Sequence, residues 1–167
     1  MAHMDSVVLP MSAKSVLFVC MGNICRSPAL MAELRRQAQA RGVDRHLIVD
    51  SCALTAWHVG EPADYRMRSA ALEHGLEIEH TAKLMQKAYF TSFDWVLAVD
   101  REVLYLLEQA AKHATVTSKM ALVTHFSKAF KDQDITDPYY GGKKSFDLTI
   151  MIVKECCQGI LDALFPP

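Results

Sequence analysis

The stretch Lys14-Ser15-Val16-Leu17-Phe18-Val19-Cys20-Met21-Gly22-Asn23-Ile24-Cys25-Arg26-Ser27-Pro28 holds a strand, a loop and the start of a helix. Residues 14–20 form a short, continuous apolar run of the kind buried on both faces of a parallel sheet. Pro28 suits a first helical turn, where its missing N–H has no partner to lose. Leu30, Leu34 and Ala38 then repeat at helical spacing, and Gly42 closes the segment. Between strand and helix lies a Cys-x5-Arg-Ser loop. A free thiol is mostly protonated at neutral pH and only the thiolate is a nucleophile; a helix N-terminus and a neighbouring arginine both favour the charged form. This loop offers both. Gly22 and Asn23 are the residue types that best tolerate left-handed backbone, so the loop can curl until successive N–H groups of Met21, Gly22, Asn23, Ile24, Cys25 and Arg26 face one anion. The Arg26 fork can grip two phosphate oxygens, and Ser27 can donate to the sulfur when it must leave. The Gly-Lys-Ser/Thr ending of a Walker A loop is absent.

Outward from that stretch, strands alternate with helices. Residues 47–49 and 95–99 read as further buried strands and 120–123 as a fourth. Helices are expected over 66–74, 84–90, 102–111 and 145–164, with 50–64 and 125–140 irregular. Phe146, Ile150, Val153, Cys157, Ile160, Leu161 and Leu164 make the apolar stripe of the last helix. The expected fold is α/β: a three-layer sandwich with a four-stranded parallel sheet, doubly wound with right-handed crossovers. Ligands in such folds bind beyond the carboxyl ends of the strands, and Cys20 lies at one of those ends.

The whole chain has 167 residues, 51% of them hydrophobic and 22% charged, which fits one globular domain with a real core. Residues 14–167 are assigned to that domain and 1–13 to an N-terminal extension, of which Met1-Ala2-His3-Met4 reads as vector-derived. The net charge of −1 and the lack of a basic block argue against nucleic acid. No apolar run approaches the ~20 residues that span a bilayer, so no membrane partner is expected. The N-terminus has no basic segment followed by a long apolar one. Five cysteines, an odd number without zinc-like spacing, indicate neither a disulfide scaffold nor a metal site and suit a reducing cytoplasm. No cofactor or metal is expected, and the chain is expected to be a monomer or weak dimer.

Val19-Cys20-Met21-Gly22-Asn23-Ile24-Cys25-Arg26-Ser27-Pro28 resembles the signature of the low-molecular-weight protein tyrosine phosphatases. The resemblance is collinear over residues 14–164. Asp50-Ser51 is similar to that family's second-strand end, Gly60 through Arg66 to its following loop, His80 to a histidine after the second helix, and Asp137-Pro138-Tyr139-Tyr140-Gly141 to its general-acid loop. The resemblance implies a metal-independent phosphatase acting on phosphotyrosine in proteins, peptides and aryl phosphates. In it Cys20 is the nucleophile and passes through a cysteinyl-phosphate, Arg26 and the loop N–H groups bind the phosphate, and Asp137 is the general acid and then the base toward water. Among the neighbouring aspartates, Pro138 sets Asp137 apart by forcing extended or turn geometry before it; Asp132 and Asp134 are the alternatives on the same loop. A thiolate and a protonated acid must coexist, which predicts a bell-shaped dependence of rate on pH.

By the same resemblance, Trp57 and Tyr139 are walls of a deep slot for an aryl phosphate, though either would otherwise read as a core aromatic. Tyr140 is either a further wall or a target of a kinase. Ser51 and His80 would hydrogen-bond with Asn23 and Ser27 and lock the loop. Cys25 is either a small apolar filler or a partner for a reversible disulfide with Cys20. Cys52, where family members often carry alanine, reads as packing. Lys83 stands where many relatives have arginine, and Val99-Asp100 where many have Met-Asp; neither is expected to touch the nucleophile. Arsenate reductases share the fold and loop but use further cysteines past the second helix, and residues 74–100 hold none. Related protein-arginine phosphatases carry threonine where this chain has Ile24. A non-catalytic phosphopeptide-binding module would have little need of both Cys20 and Asp137.

Overall fold

A computed structural model describes residues 14–167; the expected N-terminal extension, residues 1–13, lies outside them. Four strands, β1 (Lys14–Cys20), β2 (Leu47–Ala53), β3 (Trp95–Ala98) and β4 (Lys119–Leu122), pair in parallel in the order β2-β1-β3-β4. β1 is central, and every residue from Ser15 to Cys20 is buried, which is why its sequence does not alternate. The helices are α1 (Arg26–Arg41), α2 (Tyr65–Glu73), α3 (Tyr89–Ser92), α4 (Arg101–Ala111) and α5 (Lys143–Leu164).

Going from β1 through α1 to β2 moves one way along the sheet, and going from β3 through α4 to β4 moves the other. With right-handed crossovers these helices lie on opposite faces, giving the expected three layers. α5 packs along α1 and α2. The direction of winding reverses at β1, so the carboxyl end of β1 opens at the switch point of the sheet. Cys20 is the last residue of that strand.

Local chemistry explains the element ends. α1 stops at Gly42, whose φ of 74° closes a cap in which its own N–H and that of Val43 reach Gln39 and Ala38 carbonyls. Asp64 starts α2 by accepting from the Arg66 N–H, and Asp100 starts α4 by accepting from the Val103 N–H. No helix among the described residues is long and apolar enough to cross a membrane.

Two expectations need correction. β2 does not end at Val49: Asp50, Ser51, Cys52 and Ala53 continue it and pair with Leu17 to Cys20 of β1. The ladder beside a buried central strand outweighs the polar character of Asp50-Ser51. The expected helix over 84–90 is reduced to α3. Leu84 instead bridges to Ala53, with the Ala53 N–H donating to the Lys83 carbonyl and the Met85 N–H to that of Ala53. The first and last helices begin two residues earlier than expected, and Pro28 sits within the first turn of α1.

Candidate active site

The loop from β1 to α1 turns at Asn23, with a φ of 59°. Gly22 has no left-handed backbone, contrary to expectation; its lack of a side chain serves another purpose. A Cβ there would lie 3.0 Å from Cδ2 of the His58 ring, which packs over the loop.

Asn23 is fully buried, and its side chain uses all its hydrogen-bonding capacity. Nδ2 donates to Ser27 Oγ (2.8 Å) and Ser51 Oγ (3.0 Å). Oδ1 accepts from His80 Nε2 (3.1 Å) and from the Lys83 N–H (3.0 Å). His80 Nε2 also reaches the Asn23 carbonyl at 2.8 Å. Both partners of that nitrogen are acceptors, so Nε2 carries the proton. Burial pushes the His80 imidazole below its ordinary pKa against the hydrogen bond to Asn23, which keeps the ring neutral. Ser51 and His80 are therefore brought to the loop through Asn23, and neither hydrogen-bonds Ser27 directly. Lys83 joins the same group by its backbone, and its ammonium pairs with Asp50.

Ser27 accepts from Asn23, which leaves its hydroxyl hydrogen free to point at Cys20 Sγ, 2.9 Å away. The Asn23 N–H lies 3.2 Å from the same sulfur. Arg26, 3% exposed, is anchored from one side: Nη1 donates to Asp100 Oδ2 (2.7 Å) and to the Ile135 carbonyl (2.8 Å). Its Nη2 faces Asp137 Oδ2 at 3.6 Å. Burial works against the guanidinium charge, but Cys20, the bond to Asp100 and Asp137 outweigh it and hold Arg26 above the usual arginine range. Asp100 does not contact Cys20, as expected, but it belongs to the site through Arg26, a role the sequence reading did not assign to it. One of its oxygens caps α4 and the other holds Arg26. A carboxylate at the end of a strand adjacent to β1, at a switch point, was the signal that could have found it.

Cys20, Met21, Gly22, Ile24, Cys25, Arg26, Trp57, Asp137, Tyr139 and Tyr140 line one cleft, together with His58, which sequence reasoning missed. Only its place beside Trp57 hinted at a role. Asp137 stands at the turn Pro138–Tyr140 and accepts from the Tyr139 N–H at 3.1 Å. Asp132 and Asp134 point elsewhere: Asp134 pairs with Arg101, and Asp132 with His125. Tyr139 is braced by the Arg66 guanidinium, 5.1 Å from its ring centre, by Tyr140 at 5.0 Å and by His58 at 6.0 Å. Trp57 and Tyr140 are 70% and 89% exposed, so they form the rim of the cleft, not its depth. Cys20 and Cys25 are both free thiols, both buried. Burial, with Asp64, Asp137 and Cys20 nearby, pushes the Cys25 thiol far up, so it stays protonated. Cys52 is buried with its thiol 3.5 Å from Met85 Sδ, in keeping with packing.

A family model described as low molecular weight phosphotyrosine protein phosphatase matches residues 15–165. The human low molecular weight phosphotyrosine protein phosphatase is 34% identical over 152 residues, 90% of this chain and 96% of that protein. Among solved structures, a protein tyrosine phosphatase from Entamoeba histolytica with Hepes in its active site superposes with a TM-score of 0.82. It is 31% identical, and the match covers 91% of this chain and 97% of that one. A Drosophila arginine phosphatase, DARP, gives the same TM-score at 32% identity, covering 89% of this chain and 96% of the other.

Proposed function

The chain belongs to the low molecular weight phosphotyrosine protein phosphatase family, and from that membership we propose that it hydrolyses phosphotyrosine in proteins and peptides through a phosphocysteine on Cys20. The reading rests above all on one observation: the Cys20 sulfur lies within reach of the Ser27 hydroxyl in a cleft that Arg26 and Asp137 also line.

Cys20 thiolate attacks phosphorus in line with the tyrosyl oxygen. The loop N–H groups and Arg26 hold the equatorial oxygens as charge gathers on them. Asp137 gives its proton to the departing oxygen. It then takes one from the water that cleaves the S–P bond, while Ser27 donates to the returning sulfur. Asp100 and the Ile135 carbonyl fix the guanidinium from behind. Trp57 and Tyr139 flank the aryl ring. No step calls for a metal or cofactor. Every residue named comes from one chain, so a monomer suffices, and a reducing cytoplasm suits the free thiols.

Cys25 is proposed as the guard of the nucleophile. Peroxide oxidises Cys20 to the sulfenic acid, and the Cys25 thiol condenses with it, releasing water and forming a disulfide that external thiols reverse. Because Cys25 stays protonated, Cys20 is the sulfur oxidised first.

A second reading, phosphoarginine hydrolysis, is favoured by the likeness to the Drosophila arginine phosphatase. The bulk of Ile24 in the cleft favours tyrosine. Turnover of a phosphotyrosyl peptide and its phosphoarginyl counterpart, compared as kcat/KM, decides: a ratio above one supports phosphotyrosine, and the reverse replaces it. Loss of p-nitrophenyl phosphate turnover in Cys20→Ser tests the nucleophile, and retained turnover removes Cys20 from the scheme.

A further inference from the structure

A second recess, of about 320 Å³, lies beside the cleft between α2 and the start of α5. This is within the size range of sites that take small organic groups. We propose that it is a specificity subsite for an apolar side chain of the substrate, aromatic or branched aliphatic, a few residues from the phosphotyrosine. The proposal rests on the phosphotyrosine reading above.

Two observations join the recess to the cleft. The Arg66 guanidinium lies 5.1 Å from the centre of Tyr139, a cleft wall, and 4.8 Å from that of Phe146, which lines the recess. One flat cation is therefore the ridge between the two hollows. The chain segment is also continuous: Tyr139 and Tyr140 line the cleft, and Gly141 and Gly142, which follow them, line the recess. At Gly142 an added Cβ would meet nothing within 4 Å, so that edge stands open. A peptide leaving the cleft past Tyr139 crosses Arg66 and meets the recess.

The chemistry of the walls selects the occupant. Ala70 and Phe146 make an apolar floor. The charges around it are already matched within the chain. Arg66 is held by both oxygens of Asp64, at 3.1 and 2.9 Å. Lys143 is shared by Glu73 at 3.1 Å and Asp147 at 3.0 Å. Both cations that line the recess, Arg66 and Lys143, therefore already have carboxylate partners among the described residues, and an acidic group entering would lose hydration while competing with them. An apolar side chain gains by leaving water.

The test uses the full chain with phosphotyrosyl peptides carrying Leu, Phe, Glu or Ala at each of three positions on either side of the phosphotyrosine, and p-nitrophenyl phosphate as a substrate too small to reach the recess. Ser69 lines the recess but not the cleft, so Ser69→Trp fills it. The expected result is a preference in kcat/KM of about tenfold for Leu or Phe over Ala at one position, from burial of one side chain, with Glu no better than Ala. In Ser69→Trp that preference vanishes while p-nitrophenyl phosphate turnover stays within about twofold. Ser69→Glu, which places a charge on the wall without filling it, should also lose the preference. That variant carries the test if the tryptophan variant does not fold. No preference at any position, a preference for Glu, or a preference that survives both variants overturns the subsite. Failure of the phosphatase reading looks different: the wild-type chain would not hydrolyse p-nitrophenyl phosphate at all.

Discussion

At a φ of 59°, Asn23 occupies backbone that costs an ordinary L-residue roughly 1–2 kcal/mol. Its four side-chain hydrogen bonds to Ser27, Ser51, His80 and Lys83 hold it there. Asn23→Ala keeps the strained backbone and leaves buried partners unpaired, so it should lower stability by roughly 2–4 kcal/mol. Urea denaturation reads this directly, and a loss under about 0.5 kcal/mol would mean the loop holds its shape without Asn23. Asp100 permits a cleaner separation of roles. Asn caps a helix as well as Asp does, so Asp100→Asn preserves the start of α4 but removes the nearer of the two carboxylates that face Arg26. The expected outcome is a fall in kcat/KM for p-nitrophenyl phosphate of roughly 10- to 100-fold with little change in Tm. A drop in Tm with unchanged kcat/KM would make Asp100 a cap and nothing more.

At the scale of elements, the loop and the segment after β2 are fitted to each other. Gly22→Ala pushes a methyl group toward the His58 ring, which should cost about 2- to 5-fold in kcat/KM. Combined with His58→Ala, the methyl group should cost nothing further; an equal loss in both backgrounds would place the clash elsewhere. Such fits mark where reading by sequence stops. β1, the start of α1 and its Gly42 cap were legible because they are local: a continuous apolar run, a helical repeat, a residue free to take positive φ. The second half of β2 was not, because Asp50 and Ser51 look like loop residues and become strand only through pairing with buried β1. Asp100 and His58 were invisible for the same reason. Their partners, Arg26 and Gly22, lie far away in sequence and meet them only across the switch point of the sheet. Cys20 and Arg26 stood out because a Cys-x5-Arg loop between a buried strand and a proline-started helix suits a nucleophile and an anion clamp, whereas Asp137 was singled out from the other aspartates by its resemblance to a general-acid loop.

For the molecule as a whole, half-buried His80 and buried Glu33 tie stability to pH with the same sign. His80 is held below its ordinary pKa by burial, so the unfolded chain binds its proton more readily. Its contribution is full above about pH 6.5 and declines as the pH falls below that. Burial alone would raise the pKa of Glu33, but hydrogen bonds from Arg36 and Gln37 lower it. Its contribution is full above about pH 4.3 and is lost as the pH falls through the folded value. The urea midpoint should therefore drop on acidification. His80→Gln should flatten the part just below neutrality and Glu33→Gln the more acidic part; unchanged slopes in both would assign the acid lability to other groups.

The cleft itself gathers the loop after β1, the chain after β2 and the turn before α5, with Asp100 beyond the end of β3 holding Arg26 from behind, so catalysis is a property of the assembled sheet end. That assembly exists, on this account, to make and break one bond between Cys20 and phosphorus. Rapid acid quenching of the Asp137→Asn enzyme during turnover of an aryl phosphate, followed by peptide mapping, looks for that bond directly. The prediction is a phosphoryl group on the peptide that contains Cys20, formed in a burst and absent from Cys20→Ser. Turnover with no phosphorylated peptide, or with the phosphoryl group on another residue, would contradict it.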